Sequence, residues 1–383
     1  MDRWIATAAE EIAERAPAEL ERLVAISSPS GDVAGADAAI ELVLELVPPG
    51  VRVERPPCSS ADHAADLIVT LSGSGSGRVV LLGHVDTVHA HEDHRALERE
   101  GDTLIGSGTV DMKGGDVLAA GVLRALARRG ADFEEVALLL VCDEEWRAGD
   151  FVHVERFAGY DACLCFEGGE LSADGEEAVV VRRKAAGTLR VLAHGRSAHS
   201  GASPEKGANA LLALAGAAQA VAALHDPQGP AHLTSVPTVV RSGDAFNVVP
   251  AAGELLCDLR ADELETFDTV LGGLSSNVDG VRLEAEFLRR WPGMDSSVAA
   301  APLLEDAAER LGRPIRPAGR GGASDASYLA PVIDVVVDGL GPLGGGAHTP
   351  KEYIVEASLR SRAEVGLALA AAVLATPKNR DET

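Results

Sequence analysis

Short apolar runs alternate with helical stretches through the first half of the chain. The runs at 78–82, 136–142 and 161–166 are rich in Val, Leu and Cys, and they predict buried strands. The stretch GGDVLAAGVLRALARRG at 114–130 has an apolar stripe with arginines in its last turn, which predicts a helix. Strands separated by helices predict an α/β sheet.

The order of elements changes after about residue 183 and then returns. The pattern predicts β-α-β-β-α-β, the ferredoxin-like order, over 188–194, 204–225, 233–241, 254–260, 263–274 and 281–288. A helix at 303–311, a strand at 332–338 and an Ala-rich C-terminal helix resume the first pattern. We therefore predict a first part at 1–182, an inserted α+β domain at 183–292 and a second part at 293–383, with a frayed tail, PKNRDET.

Composition narrows the range of partners. The 383 residues are 46% hydrophobic, enough for two packed domains. The net charge of −25 repels phosphates and anionic membranes, so we expect no nucleic-acid and no membrane partner. The first twenty residues carry acids where a signal peptide needs an apolar core, and no apolar run has the length of a membrane span. A cytoplasmic location is the resulting expectation.

The chain has five cysteines, of which four lie in apolar runs. Reduced, buried thiols are the usual occupants of such positions. The pair Cys163 and Cys165 also suggests a metal site, but zinc thiolate sites usually need a second pair or histidines. We favour buried thiols.

Five groups of metal-ligand type follow the predicted strands or lie in loops beside them. Since ligands gather at the carboxyl ends of strands in α/β sheets, we expect these groups at one edge. They are His84, Asp111, Glu145, Glu167 and His348. Any one of them alone could be an ordinary loop residue. Together they place several carboxylates at one edge, where the carboxylates repel one another and need a cation between them. The set suits two divalent metals bridged by a carboxylate, about 3.5–4 Å apart.

Three further histidines, His89, His91 and His94, stand in the segment HAHEDH. This segment is compatible with a metal cluster or with a solvated loop at the rim of the site. The other five groups already supply three ligands per metal with one shared, so we favour the rim loop.

Five ordered motifs resemble those of the dinuclear-zinc exopeptidase family, and the resemblance covers nearly the whole chain. They are HVDTV at 84–88, GSGTVDMKGG at 106–115, DEE at 143–145, FEGG at 166–169 and GAHTPKE at 346–352. The family includes glutamate carboxypeptidase of the carboxypeptidase G type, succinyl-diaminopimelate desuccinylase, acetylornithine deacetylase and aminoacylase. The segments SAHSGASPEKGANA, FNVVP and RGGASDAS are most similar to the glutamate carboxypeptidase branch.

The resemblance implies a mixed-sheet catalytic domain with an inserted lid domain that dimerises, and two Zn²⁺ per subunit. Co²⁺ and Mn²⁺ are possible substitutes, since such ligands discriminate weakly among these metals. The implied roles are one metal on His84 and Glu167, the other on Glu145 and His348, and Asp111 as the bridge. Glu144 is the implied general base, and Asp86 orients the His84 imidazole. The family also implies a cis peptide bond between Asp111 and Met112.

Further implied roles fall on the insert and on a glycine-rich loop. His199 would reach the active site of the partner subunit in a homodimer. Asn247 and Arg260 would bind the carboxylate of the substrate, for which an arginine fork is suited. Gly322 and Ser324 would line the substrate pocket. Arg289 or Arg290 is either another carboxylate contact or part of an exposed salt bridge.

The activity implied is hydrolysis of an amide next to a free carboxylate. The expected reaction releases a C-terminal glutamate or a similar amino acid from a peptide or an N-acyl amino acid. Deacylation of N-acyl amino acids and dipeptide cleavage use the same kind of site and remain alternatives. A metal-binding homologue without catalysis is a third alternative, against which the presence of Glu144 argues, because a pure metal binder needs no base.

Overall fold

The computed structural model describes residues 1–147 and 149–375, and the predicted frayed tail lies outside them. Two compact units are present. The first contains Met1–Arg182, Asp295–Gly319 and the residues from Ser324 onward, and the second contains Arg183–Met294 and Arg320–Ala323. None of the helices in the described ranges combines the length and apolarity needed to cross a membrane.

The strands are numbered in chain order. They are β1 (Arg52–Glu54), β2 (Leu67–Ser72), β3 (Gly77–His84), β4 (Glu98–Glu100), β5 (Thr103–Ile105), β6 (Phe133–Val141), β7 (Ala162–Cys165), β8 (Glu170–Leu171), β9 (Glu177–Arg183), β10 (Ala185–His194), β11 (Thr234–Ser242), β12 (Ala252–Ala261), β13 (Asn277–Val278), β14 (Val281–Trp291), β15 (Met294–Asp295), β16 (Arg316–Arg320), β17 (Val335–Val337), β18 (Gly344–Gly345) and β19 (Tyr353–Val355).

The α-helices are numbered in the same way. They are α1 (Arg3–Val24), α2 (Val33–Leu46), α3 (Gly114–Leu126), α4 (Val154–Phe157), α5 (Ala210–Ala222), α6 (Thr266–Gly272), α7 (Ser297–Leu311), α8 (Ala326–Leu329) and α9 (Ser358–Ala375). Short 3₁₀ turns follow α3 and precede α5.

A six-stranded mixed sheet forms the centre of the first unit. Its order is β1-β2-β6-β3-β7-β17, in which β6, β3, β7 and β17 are parallel neighbours and β2 is antiparallel to β6. Helices α1, α3 and α9 pack together beside it in one apolar core. A smaller sheet of order β18-β19-β5-β4 belongs to the same unit. The predicted mixed α/β fold is confirmed.

The second unit has its own core and an antiparallel sheet of order β11-β12-β10-β14-β13. Helices α5 and α6 cover one face, on which Leu189, Val191 and Ala193 of β10 are buried. The alternate residues of β10 lie on the other face, since successive side chains of a strand point to opposite sides.

All four helices with predicted bounds differ from them at one end or both, and two begin six residues away from the predicted start. The helix predicted at 204–225 begins only at Ala210, because Pro204–Lys206 forms a separate 3₁₀ turn and the Asn209 side chain caps α5 by accepting a hydrogen bond from Leu212 N. Asn is a preferred residue at this position. The helix predicted at 303–311 begins six residues earlier, at Ser297, and continues through Pro302.

All five cysteines are buried and free, which confirms the prediction for the four in apolar runs and extends it to the fifth. Burial raises the pKa of Cys58 and of Cys257 to about 11, and it raises the pKa of Cys163 and Cys165 well above the usual value. These thiols pack as small apolar side chains, and Cys163 and Cys165 contribute to the sheet interior.

Candidate metal centre

Three parallel strands bring their carboxyl ends to one edge of the six-stranded sheet. His84, the last residue of β3, lies opposite Val141 of β6, and Leu82 lies opposite Cys165 of β7. The residues that follow β6 and β7 therefore emerge beside His84. They include Glu144, Glu145 and Glu167.

Two groups of potential ligands meet at this edge and share Asp111. One contains His84, Asp111 and Glu167, and the other contains Asp111, Glu145 and His348, with ligand atoms within 4.8 Å of one another in each. His84 Nε2 lies 3.2 Å from Asp111 Oδ1 and 3.8 Å from Glu167 Oε1. His348 Nε2 lies 3.0 Å from Asp111 Oδ2 and 3.4 Å from Glu145 Oε2. The two oxygens of one carboxylate thus face two different histidines.

Asp86 fixes the orientation of the His84 ring. His84 Nδ1 lies 3.0 Å from the Asp86 carbonyl oxygen and 3.4 Å from its carboxylate, so Nδ1 carries the proton and donates it there. This tautomer leaves Nε2 available as a ligand. The Asp86 carboxylate also accepts hydrogen bonds from the backbone N–H groups of Glu144 and Glu145, each at 3.1 Å. One buried carboxylate therefore sets the position of both loops.

The loop that carries Asp111 is held by Glu352, which lies four residues after His348. Glu352 Oε1 accepts hydrogen bonds from Val110 N at 2.8 Å and Asp111 N at 2.9 Å, and Oε2 accepts one from Gly108 N at 2.8 Å. The Asp111–Met112 peptide bond is cis, as predicted. His348 has φ of 63°, in the left-handed region that non-glycine residues uncommonly adopt.

Gly115 permits the close approach of α3 to the loop that carries Glu167. A Cβ atom added at Gly115 would lie 1.8 Å from the Phe166 carbonyl oxygen. Any larger residue would push apart the segments that present Asp111 and Glu167. The glycine is required by this contact.

The protonation of the site residues follows from burial and from mutual contact. Burial raises the pKa of Glu144 well above its usual value; the His84 imidazole opposes this rise, and the carboxylates of Asp325, Glu167 and Glu145 reinforce it. Burial likewise raises the pKa of Glu145. Hydrogen bonds to Asp111 and Glu145 raise the pKa of His348 to about 10.

These carboxylates and imidazoles fit divalent cations. The donor set consists of imidazole nitrogens and carboxylate oxygens, the ligands that zinc binds. Carboxylates that raise one another's pKa call for positive charge between them. A shared carboxylate between two three-residue groups suits a pair of ions.

The structure corrects the interpretation of His89 as part of a solvated loop. His89 is only 7% exposed, and its Nε2 lies 3.0 Å from Glu352 Oε2. His91 is exposed and contacts Ser27 Oγ at 2.8 Å, and His94 is partly buried. None of the three belongs to the two groups of potential ligands found in the described residues.

In the second unit, the predicted substrate residues form part of its surface. His199 is exposed, and its Nδ1 accepts hydrogen bonds from Gly201 N at 3.2 Å and Ala202 N at 3.1 Å, so the ring proton is on Nε2. A β-bridge between His199 and Val248 holds Asn247, which is also exposed, close to the same loop.

Arg260 forms a bidentate ion pair with Asp258, at 3.0 and 3.2 Å. It lies opposite Ala186 of β10, and Arg289 lies opposite Thr188, two residues further along the same strand. Arg260 and Arg289 therefore share the face of the sheet that α5 and α6 leave uncovered. Arg290 lies on the other face and contacts Leu264 O and Asp268, each at 3.2 Å.

The glycine-rich loop divides between the two units. Gly322 belongs to the second unit, where its carbonyl oxygen accepts a hydrogen bond from Arg183 at 2.9 Å. Ser324 belongs to the first unit and is fully buried. Its Oγ accepts a hydrogen bond from Ala326 N at 3.2 Å. The Ser324 side chain is thus engaged by the backbone at the start of the short helix α8.

Asp86 was predicted as a supporting residue, but three others around the site were not: Glu352, Arg147 and Asp325. Glu352 stands inside the motif GAHTPKE, and its position there was the available signal. Asp325 stands inside RGGASDAS, but nothing in the sequence indicated Arg147, its partner 178 residues away beside Glu144.

Comparison with known proteins agrees with this geometry. The model of Peptidase family M20/M25/M40 matches residues 80–372. The chain is 28% identical over 359 residues to carboxypeptidase G2 of Pseudomonas sp. (strain RS-16), covering 88% of this chain and 84% of that protein. It is 27% identical over 380 residues to a succinyl-diaminopimelate desuccinylase of Rhizorhabdus wittichii, covering 93% and 97% of the two chains.

The fold is also similar to that of a tripeptidase from Staphylococcus aureus, with a TM-score of 0.77 and 19% identity over 95% of this chain and 99% of that one. The resemblance inferred from the five motifs is therefore confirmed. The chain belongs to Peptidase family M20/M25/M40 and is a hydrolase of this metal-dependent family.

Proposed function

We propose that the protein cleaves an amide bond next to a free carboxylate and releases a C-terminal glutamate or a similar amino acid. The substrate would be a peptide or an N-acyl amino acid. The observation that carries the proposal is the pair of ligand groups that share Asp111, with the buried acid Glu144 beside them. Similarity to carboxypeptidase G2 supports the choice of substrate class.

We assign one Zn²⁺ to His84, Asp111 and Glu167 and another to Asp111, Glu145 and His348. The chemistry that two divalent ions supply in such a site is the acidification of water and the polarisation of the scissile carbonyl. Glu144 accepts the proton of the attacking water and transfers it to the leaving nitrogen. Asp86 holds His84 and the backbone of Glu144 in the geometry that these steps require.

His199 would stabilise the oxyanion. Because its Nδ1 is engaged by two backbone N–H groups, its Nε2–H is the donor that it can offer to a developing negative charge. Donors placed where charge develops are usually the largest single contribution to catalysis of this kind. Asn247 and Arg260 would bind the substrate carboxylate, and the shared sheet face favours Arg289 over Arg290 as a second guanidinium.

The active form would be a homodimer joined through the second unit, with His199 serving the partner subunit. Strand β11 is an edge of its sheet, and it carries the exposed Val236 and Val240, while Leu212 of α5 is 67% exposed. An open strand edge next to exposed apolar side chains favours association with a second copy of the chain.

A substrate panel tests the proposal. Purified protein is incubated with zinc and with N-acyl amino acids, glutamyl peptides and unblocked dipeptides, and the amino acids released are measured. We expect the fastest release from substrates with a C-terminal glutamate. A preference for N-acetyl or N-succinyl substrates regardless of the amino acid would identify a deacylase, and a preference for dipeptides would identify a dipeptidase. No release from any substrate would contradict the proposal.

A further inference from the structure

A single guanidinium bridges two buried carboxylates beside Glu144. The Arg147 side chain is 1% exposed. Its Nε and Nη2 donate to Asp143 Oδ1 at 3.2 and 2.9 Å, its Nη2 donates to Asp325 Oδ2 at 2.6 Å, and its Nη1 donates to Asp325 Oδ1. The planar fork of an arginine satisfies two carboxylates at once, whereas a lysine presents a single point charge.

The surroundings of this cluster hold the guanidinium in one place. The guanidinium carbon, Cζ, lies 4.7 Å from the centre of the Phe151 ring and 5.5 Å from the centre of the Tyr328 ring. These two rings stack on each other, with 5.3 Å between their centres. The other oxygen of Asp143 accepts a hydrogen bond from Ser60 N at 2.8 Å. The guanidinium is therefore enclosed by two stacked rings, and both oxygens of Asp143 are hydrogen-bonded.

The cluster joins the loop that carries Glu144 to the segment that carries Asp325. Asp143 precedes Glu144 directly, and Arg147 follows it by three residues. Asp325 directly precedes the short helix α8 and follows the buried Ser324. The Asp86 carboxylate holds the backbone N–H groups of Glu144 and Glu145. Arg147 restrains the same loop a second time, through its ion pairs with the Asp143 and Asp325 side chains.

We propose that Arg147 is a positioning residue for the general base: by bridging Asp143 and Asp325, it fixes the loop from which Glu144 reaches the attacking water. This inference rests on the proposed role of Glu144. Misplacement of a reacting group by about 1 Å costs on the order of 10²-fold in rate, so a loosened loop lowers kcat while substrate binding is largely kept.

The test compares Arg147→Met and Arg147→Lys with Arg124→Met on the best substrate of the panel. Arg124 is a matched control in the same unit: it is 13% exposed and binds Glu19 and Leu46 O, with no bond to the site. We expect kcat per folded molecule to fall about 10- to 100-fold in Arg147→Met, with KM within about threefold of wild type and unchanged metal content. Arg147→Lys should lie between, and Arg124→Met should keep the wild-type kcat.

A double-mutant cycle combines Arg147→Met with Asp325→Asn. It shows whether the two side chains act through the same contact or affect kcat independently. If Arg147 acts through Asp325, the double variant should be no slower than the slower single variant, within about threefold. Multiplicative losses would overturn the proposal, as would an unchanged kcat in folded Arg147→Met, a rise in KM alone, loss of metal, or an equal loss in Arg124→Met. If Arg147→Met does not fold, Arg147→Lys and Asp325→Asn answer the question by the same criteria.

Glu144→Gln, measured alongside, distinguishes this inference from the proposed function. An active Glu144→Gln enzyme would overturn the assignment of the base and with it this inference. An inactive Glu144→Gln enzyme together with a wild-type kcat in Arg147→Met would overturn the role of Arg147 alone.

Discussion

Replacing Glu352 by glutamine should destabilise the first unit and loosen the loop that carries Asp111. Glu352 is 2% exposed, and its two oxygens accept four hydrogen bonds, from Gly108 N, Val110 N, Asp111 N and His89 Nε2. A glutamine amide can offer its oxygen to Val110 N and Asp111 N while its NH₂ group faces Gly108 N and donates to a His89 Nε2 that has changed tautomer, which leaves one donor without an acceptor. In the opposite orientation two backbone donors are left. At about 1–3 kcal/mol for each buried donor, Glu352→Gln costs at least about 1–3 kcal/mol.

Urea-induced unfolding measures this change, with an unchanged slope as the check that the compactness of the unfolded state is unaltered. Glu356→Gln is the matched control, since Glu356 pairs with Arg99 at the exposed surface and such pairs contribute about 0–1 kcal/mol. We also expect a 10- to 100-fold loss of zinc affinity in Glu352→Gln, the usual effect of removing a group that supports a ligand. If the free energies of unfolding of the two variants agree within about 1 kcal/mol, these hydrogen bonds of Glu352 do not hold the loop.

Three further outcomes are expected. Glu144→Gln should keep its metal but lose about 10²–10⁴-fold in kcat, because a general base is removed; loss of metal would instead exchange the roles of Glu144 and Glu145. Arg260→Ala should lower kcat/KM for carboxylate substrates, by an amount equivalent to about 2–5 kcal/mol of lost transition-state stabilisation. Arg190→Ala, on the same sheet face, should not lower it, and equal effects of the two variants would show that Arg260 does not bind the substrate. Mixing inactive Glu144→Gln and His199→Ala subunits should restore activity if His199 acts in trans, and heterodimers that stay inactive would contradict that arrangement.

The α/β class and the candidate ligands could be predicted because the signals are local. Apolar runs end at His84, before Asp143 and before Glu167, and the carboxyl ends of parallel strands share one edge of a sheet. The order of elements in the second unit followed from pattern in the same way. The start of α5 was predicted too early because Pro204 is itself typical of the first turn of a helix. The residue that caps α5 is Asn209, five residues later.

Apart from Asp86, the residues that support the site were not predicted, because their contacts join residues far apart in the sequence. His89 was interpreted as a solvated loop residue, but its partner, Glu352, is 263 residues away. The Arg147–Asp325 pair spans 178 residues. No periodicity or spacing marks such pairs, since they depend on how the loops pack after the strands have formed.

The residues of the two ligand groups in the candidate metal centre are completed at different times during synthesis of the chain. His84, Asp111 and Glu167 all precede the second unit in the chain, whereas His348 follows it. At about 5–20 residues per second, the roughly 180 residues between Glu167 and His348 take about 9–36 s to make. During that interval every residue of the first ligand group and two of the second have been synthesised, while the second unit is still being made. Asp111 consequently acquires its second histidine last, and the full centre is a late product of translation.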